Sequence, residues 1–246
     1  MSGIWSAIQR RRRTNPGGPL VTYVDTVRGE RVELSATTLE NHAAKIANAL
    51  RDAYALDAGA VVHLSLPLHW QLSAWCAGVW TAGCILVAGD DPAEDIDLAV
   101  VDESTAAQRT RDDVPTVAVS MHPFGLPITA DLPPGVTDAT LDVRSQPDAF
   151  LFEAMGGSTP ALRAHGTALS QSDVLDAART QAEAWGLTEG GRLLVPATTT
   201  GLPALLAALA VPLASGGSVV IARTSDATDD QAAMVAAERV TAIASP

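Results

Sequence analysis

Phe150-Leu-Phe-Glu-Ala-Met-Gly-Gly-Ser-Thr-Pro160 is the stretch on which the reading of this chain turns. A short apolar run enters Gly156-Gly157-Ser158-Thr159. Arg163-Ala-His-Gly166 then leads to Ser170 and a segment of helical periodicity. A glycine- and hydroxyl-rich loop between a strand and a helix suits phosphate, because glycines let backbone N–H groups converge and small hydroxyls add donors. Such loops usually also hold a lysine as a point charge on the phosphate. Here the only lysine of the chain is Lys45, far away in another predicted helix. The same composition also suits a plain strand-to-helix turn, where Gly, Ser and Thr serve conformational needs alone.

Outward from this stretch, strands and helices alternate. Val21–Asp25 and Arg31–Leu34 flank Arg28-Gly29-Glu30 and read as a hairpin. Ser35 or Thr38 caps a helix in which Leu39, Ala43, Ile46, Ala47 and Leu50 recur at helical spacing. Val61–Leu66 is a strand. Leu68–Ala82 is apolar nearly all round and is predicted to be a buried helix, with Gly83 ending it before a strand over Cys84–Ala88. Asp97–Val101 and Val114–Val119 continue as strands around a short polar helix. Residues 122–147 are rich in Pro, Asp and Gly without periodicity and read as a loop. After Phe150 come Leu193–Val195, a helix over 201–214, Ser218–Ile221, a helix over 229–238 and Val240–Ile243. The alternation predicts an α/β fold of two strand-helix subdomains with largely parallel sheets. The expected division is 1–121, a connection over 122–147, and 148–246. The apolar Leu68–Ala82 helix predicts one packed core shared by the two halves.

Composition narrows the function. A formal charge of −12 argues against a nucleic-acid binder, which needs a basic footprint. Cys76 and Cys84 sit in apolar sequence outside any CxxC or Cys/His cluster, so they are expected to be buried thiols of a cytoplasmic protein. Arg10–Arg13 precede Thr14-Asn15-Pro16-Gly17-Gly18 rather than an apolar signal core. They read as the solvated face of a first helix whose other face is Ile4, Trp5 and Ile8. The longest apolar run, Leu202–Ala214, is too short for a membrane span and is broken by Pro203 and Pro212. No metal site is expected, because His42, His63, His69, His122 and His165 are scattered. A nucleophile elbow fails at Pro160, and no GxGxxG follows an early strand. His69 and Trp70, at the start of the buried helix, are the pair to examine first for a pocket.

Taken in order, these segments resemble the front portion of the acyl-adenylate-forming superfamily of acyl-CoA synthetases, peptide-synthetase adenylation domains and luciferases. They are most similar to short actinobacterial relatives of AMP-binding enzymes. Leu39–Leu50 resembles the family's "L…A…LA..L" helix, Ala60–Pro67 its "GD.V.i.lp" strand, and Trp80–Val87 its "l..aGa…vp" element. His165-Gly166-Thr-Ala-Leu-Ser170 looks like the "KG…SH" stretch closing the phosphate loop. Gly190–Pro196, Gly201 and Pro212–Ile221 resemble "D..l…P…G…l..L..G…v".

The resemblance implies an adenine nucleotide (ATP or AMP) or acyl ligand. It assigns Gly156, Gly157, Ser158, Thr159, His165 and Gly166 to a degenerate nucleotide loop, and Thr199, Thr200 and Gly201 to a ligand cleft. The departures imply that no catalytic residue is retained. His165 stands at the lysine position and is mostly neutral at pH 7, while Gln171 stands at the histidine after Ser170. The family's metal-binding glutamate, ribose-binding aspartate and catalytic-lysine domain are not expected before Pro246. The expectation is therefore a degenerate, non-catalytic AMP-binding-like protein that binds a nucleotide or acyl ligand or acts as a structural partner. The alternatives are an acyl-activating enzyme completed by another chain and an interaction protein without ligand. A homodimer or hetero-complex is expected, with no nucleic acid and no membrane as partner.

Overall fold

The computed structural model describes residues 3–88, 95–109, 113–151, 155–164, 167–224 and 228–245. Helix α1 (Ile4–Thr14) leads into β1 (Pro19–Asp25), β2 (Glu30–Ser35), α2 (Ala36–Asp52), β3 (Val61–Ser65), α3 (Trp70–Thr81) and β4 (Ile85–Ala88). Then come β5 (Leu98–Asp102), α4 (Ala106–Arg109), β6 (Thr116–Val119), β7 (Val136–Asp138) and α5 (Ala139–Ser145). The chain continues through β8 (Pro160–Ala164), β9 (Thr167–Ser170), α6 (Gln171–Ala184) and β10 (Arg192–Pro196). It finishes with α7 (Gly201–Leu205), a π-helical turn (Leu206–Ala210), α8 (Val211–Ser215), β11 (Ser218–Arg223), α9 (Thr228–Ala237) and β12 (Ala242–Ile243).

The strands form two sheets, a five-stranded one ordered β12-β10-β11-β1-β2 and a seven-stranded one ordered β7-β6-β5-β3-β4-β8-β9. Among the described residues only the hairpins β1–β2 and β8–β9 are antiparallel. The remaining pairs are parallel, as helical crossovers between strands require. Each sheet takes strands from both sides of residues 122–147. One hydrophobic cluster runs from Ile4 through Trp75 and Leu162 to Val219 and Ala244.

Helix α3 lies at the centre of this core. All twelve of its residues are buried, and it packs against α1, α2 and the π-helical turn. Side chains over 100° or more of a helix face normally meet solvent, so full burial explains why this segment carries no amphipathic period. Gly78 permits the α2–α3 contact, because a Cβ there would sit 2.3 Å from Ile46 Cγ2. Cys76 and Cys84 are buried free thiols, and burial pushes Cys84 up to about 12. Among the described residues no helix is long and apolar enough to cross a membrane.

Three sequence readings need correction. Residues 122–147 are not an unbroken loop, since they include β7 and α5. One carboxylate nucleates both: Asp138 accepts from Ile128 N and, as N-cap of α5, from Thr140 N, each at 2.8 Å. Arg11 does not share the solvated face of α1. It turns inward and donates to the carbonyls of Asn15 and Pro19 at 3.1 and 3.2 Å, while Arg12 pairs with Glu40 at 2.7 Å. The helix over 201–214 changes pitch in its middle. Pro212 has no N–H to close the α-helical bond to its preceding turn, and the π-helical turn lies immediately upstream.

Candidate functional site

Phe150 and Leu151 lie outside any strand, and Phe150 stacks edge-on against Trp5. Strand β8 begins at Pro160 and turns back through β9 before α6 starts. Gly156, Gly157, Ser158 and Thr159 lead into β8, and residues 152–154 of the apolar run before them lie outside the described residues. These glycines and hydroxyls stand at the N-terminal edge of β8, a strand parallel to β4. Ligands of open parallel sheets usually bind outside the carboxyl ends of the strands.

This segment is joined to the start of α6. The Gln171 and Ser172 amides donate to the carbonyls of Thr159 and Gly157 at 2.9 and 2.8 Å, and Ser172 Oγ adds a second bond to Gly157 O. Thr159 N closes a turn onto Gly156 O at 3.1 Å. The helix end is completed by a capping box. Asp173 N donates to Ser170 Oγ at 3.2 Å, and Ser170 N donates to Asp173 Oδ2 at 2.9 Å. The bonds from Ser170 hold the Asp173 carboxyl below its ordinary value. Two carbonyl oxygens and the Ser170 hydroxyl thus meet the first-turn donors, and the Asp173 carboxylate meets the Ser170 amide. His165 and Gly166 fall outside the described residues.

Gln171 takes a role that its place beside Ser170 did not disclose. It is fully buried. Its Oε1 accepts from Ile4 N at 2.7 Å, and its Nε2 donates to Trp80 O at 2.8 Å. One amide thereby ties together the N-termini of α1 and α6 and the end of α3.

Thr199, Thr200 and Gly201 follow β10 in the other sheet. Thr199 N bonds to Pro196 O, and Thr200 precedes α7 without a side-chain cap. These residues do not line the cavity described next.

A cavity of about 450 Å³ opens at the carboxyl ends of the seven-stranded sheet. Strands β3 and β5 are neighbours whose onward connections leave on opposite faces. Leu98, Val100 and Val117 belong to the main core with α3, whereas Val101 and Ala118 cluster with Ala106 of α4 behind the sheet. Such a reversal opens a crevice, and the cavity lies beside it on the α3 side. Helix α2 contributes His42 and Lys45, and α3 contributes Trp70, Gln71 and Trp75. Val119 and the following Pro123, Phe124 and Gly125 form another wall, and α5 closes the cavity with Ala139, Thr140, Val143 and Arg144.

The pair flagged from sequence divides here. Trp70 faces the cavity, whereas His69 packs on Tyr23 with ring centroids 4.2 Å apart. His69 Nδ1 accepts from Gln71 N at 3.2 Å, and burial, then Arg28, pushes its imidazole down to about 3. His42 lies 5.4 Å from the Trp70 ring, and burial lowers its pKa as well. Lys45 is committed to Asp148 at 2.6 Å and to nearby carbonyls. Among the described residues Arg144 has no ion pair, and the buried Trp70 Nε1 has no hydrogen-bond acceptor. The other lining residues carried no local motif. Four elements distant in sequence meet there only in the fold. Among the described residues no cluster of metal-ligating side chains exists.

The architecture matches solved structures across almost the whole chain. An acyl-CoA synthetase from Brucella canis aligns with a TM-score of 0.75 at 18% identity, covering 96% of this chain and 46% of that one. Acetoacetyl-CoA synthetase from Streptomyces lividans gives 0.75 and 18%, covering 97% and 41%. The N-terminal domain of FACL13 from Mycobacterium tuberculosis gives 0.71 and 18%, covering 98% and 62%. The chain thus spans about half the length of these structures, and the likeness is to the N-terminal part of adenylate-forming enzymes. No protein-family model matches the sequence. A Mycobacterium tuberculosis relative, "TIGR03089 family protein", is 38% identical over 235 residues, which cover 94% of this chain and 93% of that protein. Identity of that degree along nearly the full length of both chains places this protein in the TIGR03089 family, built on the fold of an acyl-CoA synthetase N-terminal portion.

Proposed function

We propose that this protein is a non-catalytic relative of the adenylate-forming enzymes, a binding domain that does not activate acyl groups. The observation that carries this reading is the start of α6. There the Gly157 and Thr159 carbonyls, the Ser170 hydroxyl and the Asp173 carboxylate accept from the N–H groups of residues 170–173, the donors that a phosphate at this helix end would need. Acyl-adenylate formation requires cationic groups around the transferring phosphates and a carboxylate held in line with the α-phosphate. Ser158, exposed beside a committed backbone, supplies neither.

The test is carboxylate-dependent exchange of labelled pyrophosphate into ATP, with magnesium, over a panel of fatty and aryl acids. No exchange above background is expected from the wild-type chain. Introducing lysine at His165 is not expected to create any, because the donors at α6 remain occupied. Robust turnover, lost in Gly157→Val, would overturn the reading and favour an acyl-activating enzyme completed by another chain.

A further inference from the structure

We infer that residues 139–149, helix α5 and the extended segment after it, form a hinged lid over the cavity, latched by Lys45 and Asn48 of α2. The lid lies away from the start of α6, so it stands or falls independently of the proposal on catalysis.

Three observations converge on it. The first is how little apolar contact holds the segment. Within α5 only Ala139 is buried. Leu141, Arg144 and Ser145 are exposed, as are Pro147, Asp148 and Ala149 of the extended part. Ala139 and Val143 make the apolar contacts of α5 with the main core. A helix this short has little stability of its own. Few buried apolar contacts mark a unit that opens locally, at a cost well below that of global unfolding.

The second observation is how the segment is fastened. Residues 146–149 belong to no helix or strand, and side chains of α2 reach over to their carbonyls. Lys45 Nζ donates to Arg144 O and Gln146 O at the end of α5, and it pairs with Asp148 at 2.6 Å. Asn48 Nδ2 donates to Pro147 O and Ala149 O, each at 3.1 Å. Lys45 and Asn48 stand three residues apart, on one face of α2. Just beyond that helix, Tyr54 Oη donates to Asp142 Oδ2 at 3.1 Å. The two ends of the segment are anchored differently. Asp138 belongs to β7, paired within the sheet, and Phe150 packs edge-on against Trp5. Between these fixed points the fastening is polar, and such bonds exchange for water at modest net cost.

The third is what lies beneath. Thr140, Val143 and Arg144 line the cavity of about 450 Å³, and its opposite wall is α3, buried along its whole length. Helix α3 cannot move without disrupting the core. Helix α5 can swing about Asp138 and Phe150 once the latch parts, and its release uncovers the cavity.

The test is hydrogen exchange of the full chain, read by mass spectrometry in water and in low urea, with thiol labelling as a second reading. Amides of residues 140–149 are expected to exchange at least about a hundredfold faster than those of α3. Their rate should be nearly independent of urea, because local opening exposes little surface, whereas exchange in α3 should rise with urea. Lys45→Met keeps the aliphatic stem but removes the donors, and it should speed exchange in 140–149 about tenfold. Gln171→Leu, which weakens the core away from the latch, should speed α3 and leave 140–149 unchanged. Val143→Cys places a thiol on the inner side of the lid, while the native Cys76 and Cys84 are fully buried. Iodoacetamide, small and uncharged, should label the new thiol at least about tenfold more slowly than an unfolded peptide thiol and at least about a hundredfold faster than Cys76. Adding Lys45→Met should raise that rate by the same factor as it raises exchange. If Val143→Cys fails to fold, Thr140→Cys is the reporter. The inference is overturned if 140–149 exchange with the urea dependence of α3, or if Lys45→Met leaves their rate unchanged. It is equally overturned if the inner thiol reacts as fast as the peptide thiol, which means no closed lid, or no faster than Cys76, which means no local opening.

Discussion

Replacing Gln171 by leucine isolates the interaction that joins three helix ends. Leucine fills nearly the same volume but offers neither the acceptor for Ile4 N nor the donor for Trp80 O, which now lie 2.7 and 2.8 Å from the amide. Ile4 and Trp80 are both fully buried, so water cannot easily replace the lost partners. Each orphaned group costs about 1–3 kcal/mol, and the pair sums to roughly 2–6 kcal/mol. A chain of this size loses about 2–4 °C of Tm per kcal/mol, so a drop of roughly 5–20 °C is expected. The assay is urea unfolding followed by tryptophan fluorescence, with the Tm from calorimetry as a check. The urea midpoint should fall with an unchanged slope if only the folded state is affected. Gln171→Asn, one methylene shorter, should recover only part of the loss. A destabilisation below about 1 kcal/mol would refute the reasoning, because it would mean that both backbone groups find other partners.

Two further outcomes follow from the same core. His69 has a folded-state pKa of about 3 against an unfolded value of 6.5, so the unfolded chain binds its proton first. The stability tied to its neutral form is complete above pH 6.5 and is lost as pH falls from 6.5 toward 3. At about 1.4 kcal/mol per unit this amounts to roughly 2 kcal/mol by pH 5. Unfolding measured from pH 7.5 to 5 should show a steeper acid loss in the wild type than in His69→Gln, and parallel curves would exclude His69 as the source. Gly78→Ala sets a methyl group 2.3 Å from Ile46 Cγ2, and such overpacking costs about 1–3 kcal/mol. The companion change Ile46→Ala, which removes Cγ2, should cost less in Gly78→Ala than in the wild type in a double-mutant cycle, whereas strict additivity would show that the two sites do not touch.

The elements with a local physical signature were legible in the residues. Ser35, one of two residues whose position before apolar periodic sequence suited a cap, accepts a backbone N–H at the start of α2, and Ser170 does the same for α6. Leu68–Thr81 is buried throughout because no face of it is polar. The hairpin at residues 28–30, the alternation of strand and helix, and the family likeness were all present in the linear order. The glycine-rich stretch was legible as a turn, but its composition carried no information on where the strand that follows it sits in the sheet. That depends on the pairing of β8 with β4 and on the return through β9.

Chain order alone therefore determined the class of fold and the pattern of its interior. Which strands share a sheet was decided only when β1 paired with β11 across nearly two hundred residues. The three-residue β7 has no period of its own and exists through its pairing with β6. Arg11 read as part of a solvated face, and Gln171 carried no sign of burial, until the fold surrounded both with backbone groups. The cavity has the same origin, since Lys45, Trp70, Phe124 and Arg144 lie on four segments and meet only after the sheet sets their helices side by side. Local propensity is written in neighbouring residues, whereas a buried polar bond or a cavity depends on contacts between residues far apart in the chain, which appear only once the core has packed.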